Sequence, residues 1–131
     1  MDRIDIQCEI APLPFKDISR ATPGETSEKI RERVISARAI QTERFRNYRN
    51  VHCNAQMSER MIHEFAEPDA ASVQLLRDAM ERLKLSARAY NRILKVARSI
   101  ADLDGSEAVL VQHIAEAIGY RNLDRSDWAE R

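Results

Sequence analysis

The sequence predicts a mainly α-helical protein: a compact group of four helices, preceded by one long helix and one short β-strand. Three observations lead there. Apolar residues fill 44% of the 131 positions, aromatics only 5%, and charged residues 32%, a balance that suits amphipathic helices better than a sheet. Apolar side chains recur at three- and four-residue spacing through most of the chain beyond Ser27. The few glycines and prolines fall mainly between those stripes, as punctuation.

The strand comes first. Ile4, Ile6, Cys8 and Ile10 alternate with Arg3, Asp5, Gln7 and Glu9, and a two-residue period reads as a short, half-buried strand over residues 1–11. A lone strand leaves backbone donors and acceptors unpaired, so this one is expected to be the remnant of a larger core. Pro12, Pro14, Pro23 and Gly24 mark residues 12–26 as a linker. Residues 27–56 hold a long helix, Ser27 to Asn47, and a loop. Ile30, Val34, Ala37 and Ile40 form its stripe, with Glu28 and Glu32 early and Arg44 and Arg46 late, which suits the helix dipole.

Residues 57–125 carry the helical group. Ser58 can cap a short helix to Phe65. Glu67-Pro68-Asp69 breaks it and starts a helix to Leu83, with Val73, Leu76, Met80 and Leu83 on one face. Ser86 can cap the next, to Leu103, whose stripe is Tyr90, Ile93, Leu94, Ala97, Ile100 and Ala101. Gly105 ends that region, and Val111, Ile114, Ala115 and Ile118 mark a last helix to Tyr120. Residues 126–131 read as a frayed polar tail.

Composition narrows the function. Twenty-one basic and 21 acidic residues give no net charge, so a global field for nucleic acid is absent and only a local patch could bind it. Cys8 and Cys53 are isolated, the first residues are too charged for a signal peptide, and no apolar run is long enough to span a membrane. A cytoplasmic protein with no membrane partner is expected. Three glycines, at 24, 105 and 119, cannot form a phosphate-cradling P-loop. His52, Cys53, His63 and His113 lack the paired spacing of zinc sites, so no metal is expected; they read as a buried cysteine and surface or helix-packing histidines.

One cluster of charge stands out. Arg88, Arg92 and Lys95 share a helix face. A cation near a helix N-terminus is disfavoured by the dipole, so Arg88 needs a reason to be there, such as an anion to meet; the alternative is a solvated face. Arg98 and Asp102, four residues apart, read as a surface ion pair.

Several segments also carry a family likeness. Met1-Asp2-Arg3-Ile4-Asp5, Arg31-Glu32-Arg33-Val34 with Ala37-Arg38 and Gln41, Cys53-Asn54-Ala55-Gln56-Met57, the run LSARAYNRILKVARSIADL from Leu85 to Leu103, and His113 to Ile118 with Tyr120-Arg121 resemble the C-terminal region of magnesium-chelatase-like AAA+ ATPases of the ComM-type branch. The likeness covers nearly the whole chain, and the long run is its most specific part. It implies an AAA+ lid bundle preceded by an insert-like helix and a remnant strand of the core, without the Walker motifs, and therefore no hydrolysis by this chain alone. It also implies a full-length parent that is an ATPase using ATP and Mg, built as a homo-oligomeric ring, a hexamer, with the missing N-terminal AAA+ core as partner and DNA remodelling as its work. By the same likeness Arg3 matches the arginine finger that reaches a neighbour's nucleotide, and Arg88 the sensor-2 arginine that contacts phosphate, giving Arg3 and Arg88 catalytic roles and Arg88 a nucleotide-binding one. The competing expectation is an independent helical module that binds DNA or protein through the Arg88–Arg92–Lys95 face.

Overall fold

A computed structural model of the chain describes residues 5–8 and 24–121. Its helices are α1 (Ser27–Arg44), α2 (Glu59–Phe65), α3 (Ala70–Leu83), α4 (Ala87–Leu103) and α5 (Val111–Gly119), with a single 3-10 turn at Asn54–Gln56 between α1 and α2. The expected caps at Ser58 and Ser86 form, and Thr26 and Asp69 cap their helices as well: the three hydroxyls and the Asp69 carboxylate each accept the backbone N–H three residues on, which satisfies a donor the helix itself leaves open.

α4 is the central element. Ala89, Ile93, Leu94, Ala97 and Ala101 are buried along it, against Met61 and Ile62 of α2, Leu76 and Ala79 of α3, and Ile114, Ala117 and Ile118 of α5. Alanines at three of the five α4 positions let the neighbouring helices approach closely. Phe45, Tyr48 and Phe65 close one end of the core edge-to-face, with ring centroids 5.6–6.2 Å apart.

α1 ends at Arg44, not at Asn47, because the chain turns at Phe45 and sends that ring into the core at 2% exposure. Its stripe is also thinner than periodicity implied. Ala37 is buried, but Ile30, Val34 and Ile40 stay 39–43% exposed, since no described element covers the first turns of α1. Val73 and Val111 lie at the outer edges of their stripes, 38% and 41% exposed.

Asp5–Cys8 form no strand ladder among the described residues; the Gln7 N–H instead donates to the Tyr120 carbonyl beyond α5 at 2.7 Å. Ile4, Glu9 and Ile10 of the expected strand, most of the linker and the 126–131 tail lie outside the described residues. No described helix is long and apolar enough to cross a membrane.

Candidate functional site

The loop before α4 sets the position of Arg88. α3 closes on Lys84, which adopts the left-handed conformation (φ 51°, ψ 49°), and the Leu85 N–H reaches back to the Met80 carbonyl at 3.1 Å, the six-to-one bond of a Schellman turn. Two residues later Ser86 caps α4 through the Ala89 N–H at 3.2 Å. Arg88 thus occupies the first turn of a helix held at both flanks. Its side chain is exposed and has no hydrogen bond or ion pair among the described residues. Its neighbour Ala87, though not Arg88 itself, lines a cleft of about 250 Å³ together with Glu59, Ile62, His63, Met80, Tyr90, Asn91 and Leu94.

The rest of the basic face is occupied. Arg92 pairs with Asp5, and the Lys95 ammonium donates to the Ala55 carbonyl at 3.0 Å. The three cations on one face of α4 therefore differ in kind: one has no partner among the described residues, and two hold other parts of the chain. Arg3, the other arginine singled out from the sequence, lies outside the described residues.

Arg98 and Asp102 do not form a surface pair. Both are 2% exposed, because the α4 face that carries them packs under α1 and the Asn54 turn instead of facing water. Asp102 is the hub of a buried network. Arg44 of α1 clasps both its oxygens, at 2.6 and 2.8 Å; Asn54 donates at 2.8 Å; Arg98 stands at 3.1 Å. Asn54 also donates to Ser99, accepts from Arg44, and its backbone N–H reaches Gln41. Arg98 donates to the carbonyls of Phe65, Ser106 and Glu107, at 2.7–3.1 Å, and so fastens the loop after α4. Burial pulls the Arg98 guanidinium below its ordinary range; Asp102 opposes that shift and Arg44 adds to it. Sequence reasoning missed this network. The available signal was that Gln41, Asn54, Arg98 and Asp102 all fall inside the segments with the family likeness.

No cluster of three or more His, Cys, Asp or Glu side chains placed to hold a metal ion occurs among the described residues. Cys53 is half-buried, less buried than expected, because the turn at Asn54 sends the asparagine inward and leaves the cysteine at its edge; Cys8 is exposed. His113 is buried. Its Nδ1 accepts the Leu110 N–H at 3.0 Å, so the ring proton sits on Nε2 and is donated to Asp104, also at 3.0 Å. That histidine serves the start of α5.

Residues 24–121 match the protein family described as Magnesium chelatase, subunit ChlI C-terminal. The chain is 38% identical over 126 residues to Competence protein ComM of Haemophilus influenzae, a match covering 95% of this chain and 24% of that protein. It is 39% identical over 127 residues to YifB of Escherichia coli, with the same coverage, and 32% identical over 121 residues to a Mycobacterium bovis protein. It spans about a quarter of the length of the curated relatives it matches. A helical bundle organised on α4, a family match across nearly all the described residues, and relatives well above 30% identity together place the chain in the magnesium chelatase subunit ChlI C-terminal family.

Proposed function

We propose that this chain is the helical lid of an ATP-hydrolysing, magnesium-chelatase-like AAA+ motor, and that Arg88 brings a positive charge to the nucleotide phosphates. The observation that carries the reading is the state of Arg88: exposed, and without a partner among the described residues, on a fixed helix start, while its neighbours on the same face are engaged. Phosphoryl transfer spreads negative charge over the γ-phosphate oxygens. A planar fork of donors presented by a rigid helix stabilises that charge without reorganising during the reaction. Mg and the phosphate cradle belong to the core of the full-length protein, and Arg3 is the matching candidate for reaching a neighbouring subunit's nucleotide in a hexameric ring. DNA remodelling is the work the ComM-type likeness favours. The alternative of a free-standing module that binds through a basic face has less support, because Arg92 and Lys95 are already committed within the fold.

The test is steady-state ATP hydrolysis by the full-length protein. Arg88→Ala is expected to lower kcat by about 10- to 1000-fold, the scale for loss of a transition-state charge donor. Arg88→Lys should not restore it, since a point charge lacks the fork. In the 131-residue chain the same change should alter stability by about 0.5 kcal/mol or less, as surface substitutions do. Arg77→Ala, an exposed arginine on α3, is the control. Equal kcat for wild type and Arg88→Ala would remove Arg88 from the nucleotide site.

A further inference from the structure

The last turns of α1, the loop after it and the single turn at Asn54 border a cleft of about 350 Å³, lined by Arg38, Gln41, Thr42, His52, Cys53 and Gln56. Arg38, Gln41, Cys53 and Gln56 come from the two short segments of family likeness that the nucleotide contact at Arg88 does not use. The two glutamines are oriented by backbone contacts. Gln41 Oε1 accepts the Asn54 N–H at 2.9 Å, and Gln56 Oε1 accepts the His52 N–H at 2.7 Å. Only the oxygen of a carboxamide can meet a backbone N–H, so each side chain keeps its NH2 group as a donor. Neither NH2 group has an acceptor among the described residues. Arg38 is exposed on α1 and likewise has no hydrogen bond or ion pair among the described residues. The Thr42 hydroxyl and the His52 ring add two more hydrogen-bonding groups. No carboxylate is among the described residues that line the cleft. Donors from three short stretches of chain therefore gather beside one guanidinium, with no negative group to satisfy them. The place is also distinct from the start of α4: Asn54, which fixes Gln41, binds Ser99 and Asp102, about 16–21 Å along the helix axis from Arg88.

We propose that this cleft binds a terminal phosphate group, as inorganic phosphate or as a phosphomonoester. Arg38 supplies the charge and a fork that matches two phosphate oxygens. The Gln41 and Gln56 NH2 groups and the Thr42 hydroxyl supply donors for the third. A carboxylate or a phosphodiester offers two charged oxygens, which the fork alone can satisfy, and would leave both glutamine donors idle. An occupied cleft also braces the Asn54 turn through Gln41, and so adds to the fold's stability by binding the folded chain alone. None of this depends on the role given to Arg88.

The test is a titration of the 131-residue chain with sodium phosphate at constant ionic strength, followed by NMR at the side-chain NH2 signals of Gln41 and Gln56 and the Nε–H of Arg38. Saturable shifts of all three are expected, with a rise in melting temperature over the same concentrations. Arg38→Gln should weaken binding about tenfold or more, as for a lost charge-assisted hydrogen bond. Gln56→Glu keeps an acceptor for the His52 N–H but puts a carboxylate in the cleft, and should abolish the shifts while circular dichroism shows the helices intact. Arg88→Ala should bind phosphate as wild type does. Acetate and dimethyl phosphate should bind more weakly than phosphate. Glycerol 3-phosphate binding more tightly than inorganic phosphate would identify a phosphomonoester as the source; equal or weaker binding would identify the free ion. Shifts that do not saturate, or that persist unchanged in Arg38→Gln, would overturn the site. Acetate or dimethyl phosphate binding as tightly as phosphate would overturn its assignment to a terminal phosphate, and loss of binding in Arg88→Ala would overturn its separateness from the start of α4.

Discussion

Replacing Asp102 by alanine should be the most damaging single change in the helical bundle. The Asp102 side chain is fully buried, and among the described residues it is the only counter-ion of Arg44, whose side chain is 12% exposed, and of Arg98, at 3%. Asp102→Ala leaves two guanidiniums in the interior without this counter-ion, with only neutral acceptors remaining among the described residues, and strips an acceptor from Asn54. Breaking a buried pair in this way costs about 3–5 kcal/mol, mostly because the remaining charge cannot return to water. A domain of this size has about 5–15 kcal/mol in total, so the variant loses at least about a fifth of its margin. With a urea m-value of about 2 kcal/mol/M, the unfolding midpoint should fall by about 1.5–2.5 M. Asp102→Asn keeps the shape and one acceptor and should fall by less. The assay is urea denaturation followed by circular dichroism. An exposed Arg98–Asp102 pair would be worth at most about 1 kcal/mol, so the two geometries predict different results. A midpoint within about 0.5 M of wild type would refute the buried-hub account.

The remaining predictions concern the start of α4 and the caps. Lys84→Gly should stabilise the chain by about 0.5–1 kcal/mol, because a glycine adopts the left-handed conformation of that turn without a Cβ clash; thermal melting checks it, and destabilisation would show that the Lys84 side chain matters more than its backbone. Ser86→Ala should cost about 1 kcal/mol by leaving the Ala89 N–H open, and should lower ATPase activity in the full-length protein by loosening the helix start that carries Arg88, an effect Ser86→Asp should largely avoid. The Ser72 backbone N–H, at 2.8 Å, holds the Asp69 carboxyl below its ordinary aspartate range. A folded-state value below the unfolded one means this cap's stabilisation is complete above the ordinary aspartate pKa and is lost as pH falls through the folded value. Asp69→Asn should therefore remove part of the acid-side decline in stability, as an acid titration of the melting temperature would show.

Local features were legible in the sequence and tertiary ones were not. Ser58, Asp69 and Ser86 reveal themselves as caps because the hydroxyl or carboxylate bonds a donor only three residues away. The α4 stripe was read correctly because Ile93, Leu94, Ala97 and Ala101 face neighbours on several sides, so any packing arrangement buries them. Periodicity identified the α1 stripe equally well, but it cannot say whether anything covers that face, and Ile30 and Val34 remain open. The hub of the network joins Arg44 to a residue 58 positions on and Asn54 to one 48 positions on. No short-range pattern predicts either contact. The four-residue spacing of Arg98 and Asp102 gave the right partners and the wrong environment, since helix geometry fixes which side chains meet but not whether water reaches them.

The run from Leu85 to Leu103, the most family-specific part of the sequence, contains arginines of three different physical kinds. Arg98 is buried and bound to three carbonyls and Asp102, so its charge is spent on holding the loop after α4. Arg92 is half-exposed and tethers a distant segment. Arg88 alone is exposed with no partner among the described residues. Sequence likeness cannot separate these, because each kind of arginine is equally hard to replace: one for folding, one for registration, one for charge at a ligand. Burial and pairing do separate them, and each predicts a different failure. Loss of Arg98 should be seen in stability before activity, loss of Arg92 in the tethering of the Asp5 segment, and loss of Arg88 in kcat with the fold intact. The lid reading requires that third pattern at Arg88, since a nucleotide-sensing side chain on this bundle must be one that the bundle itself does not use.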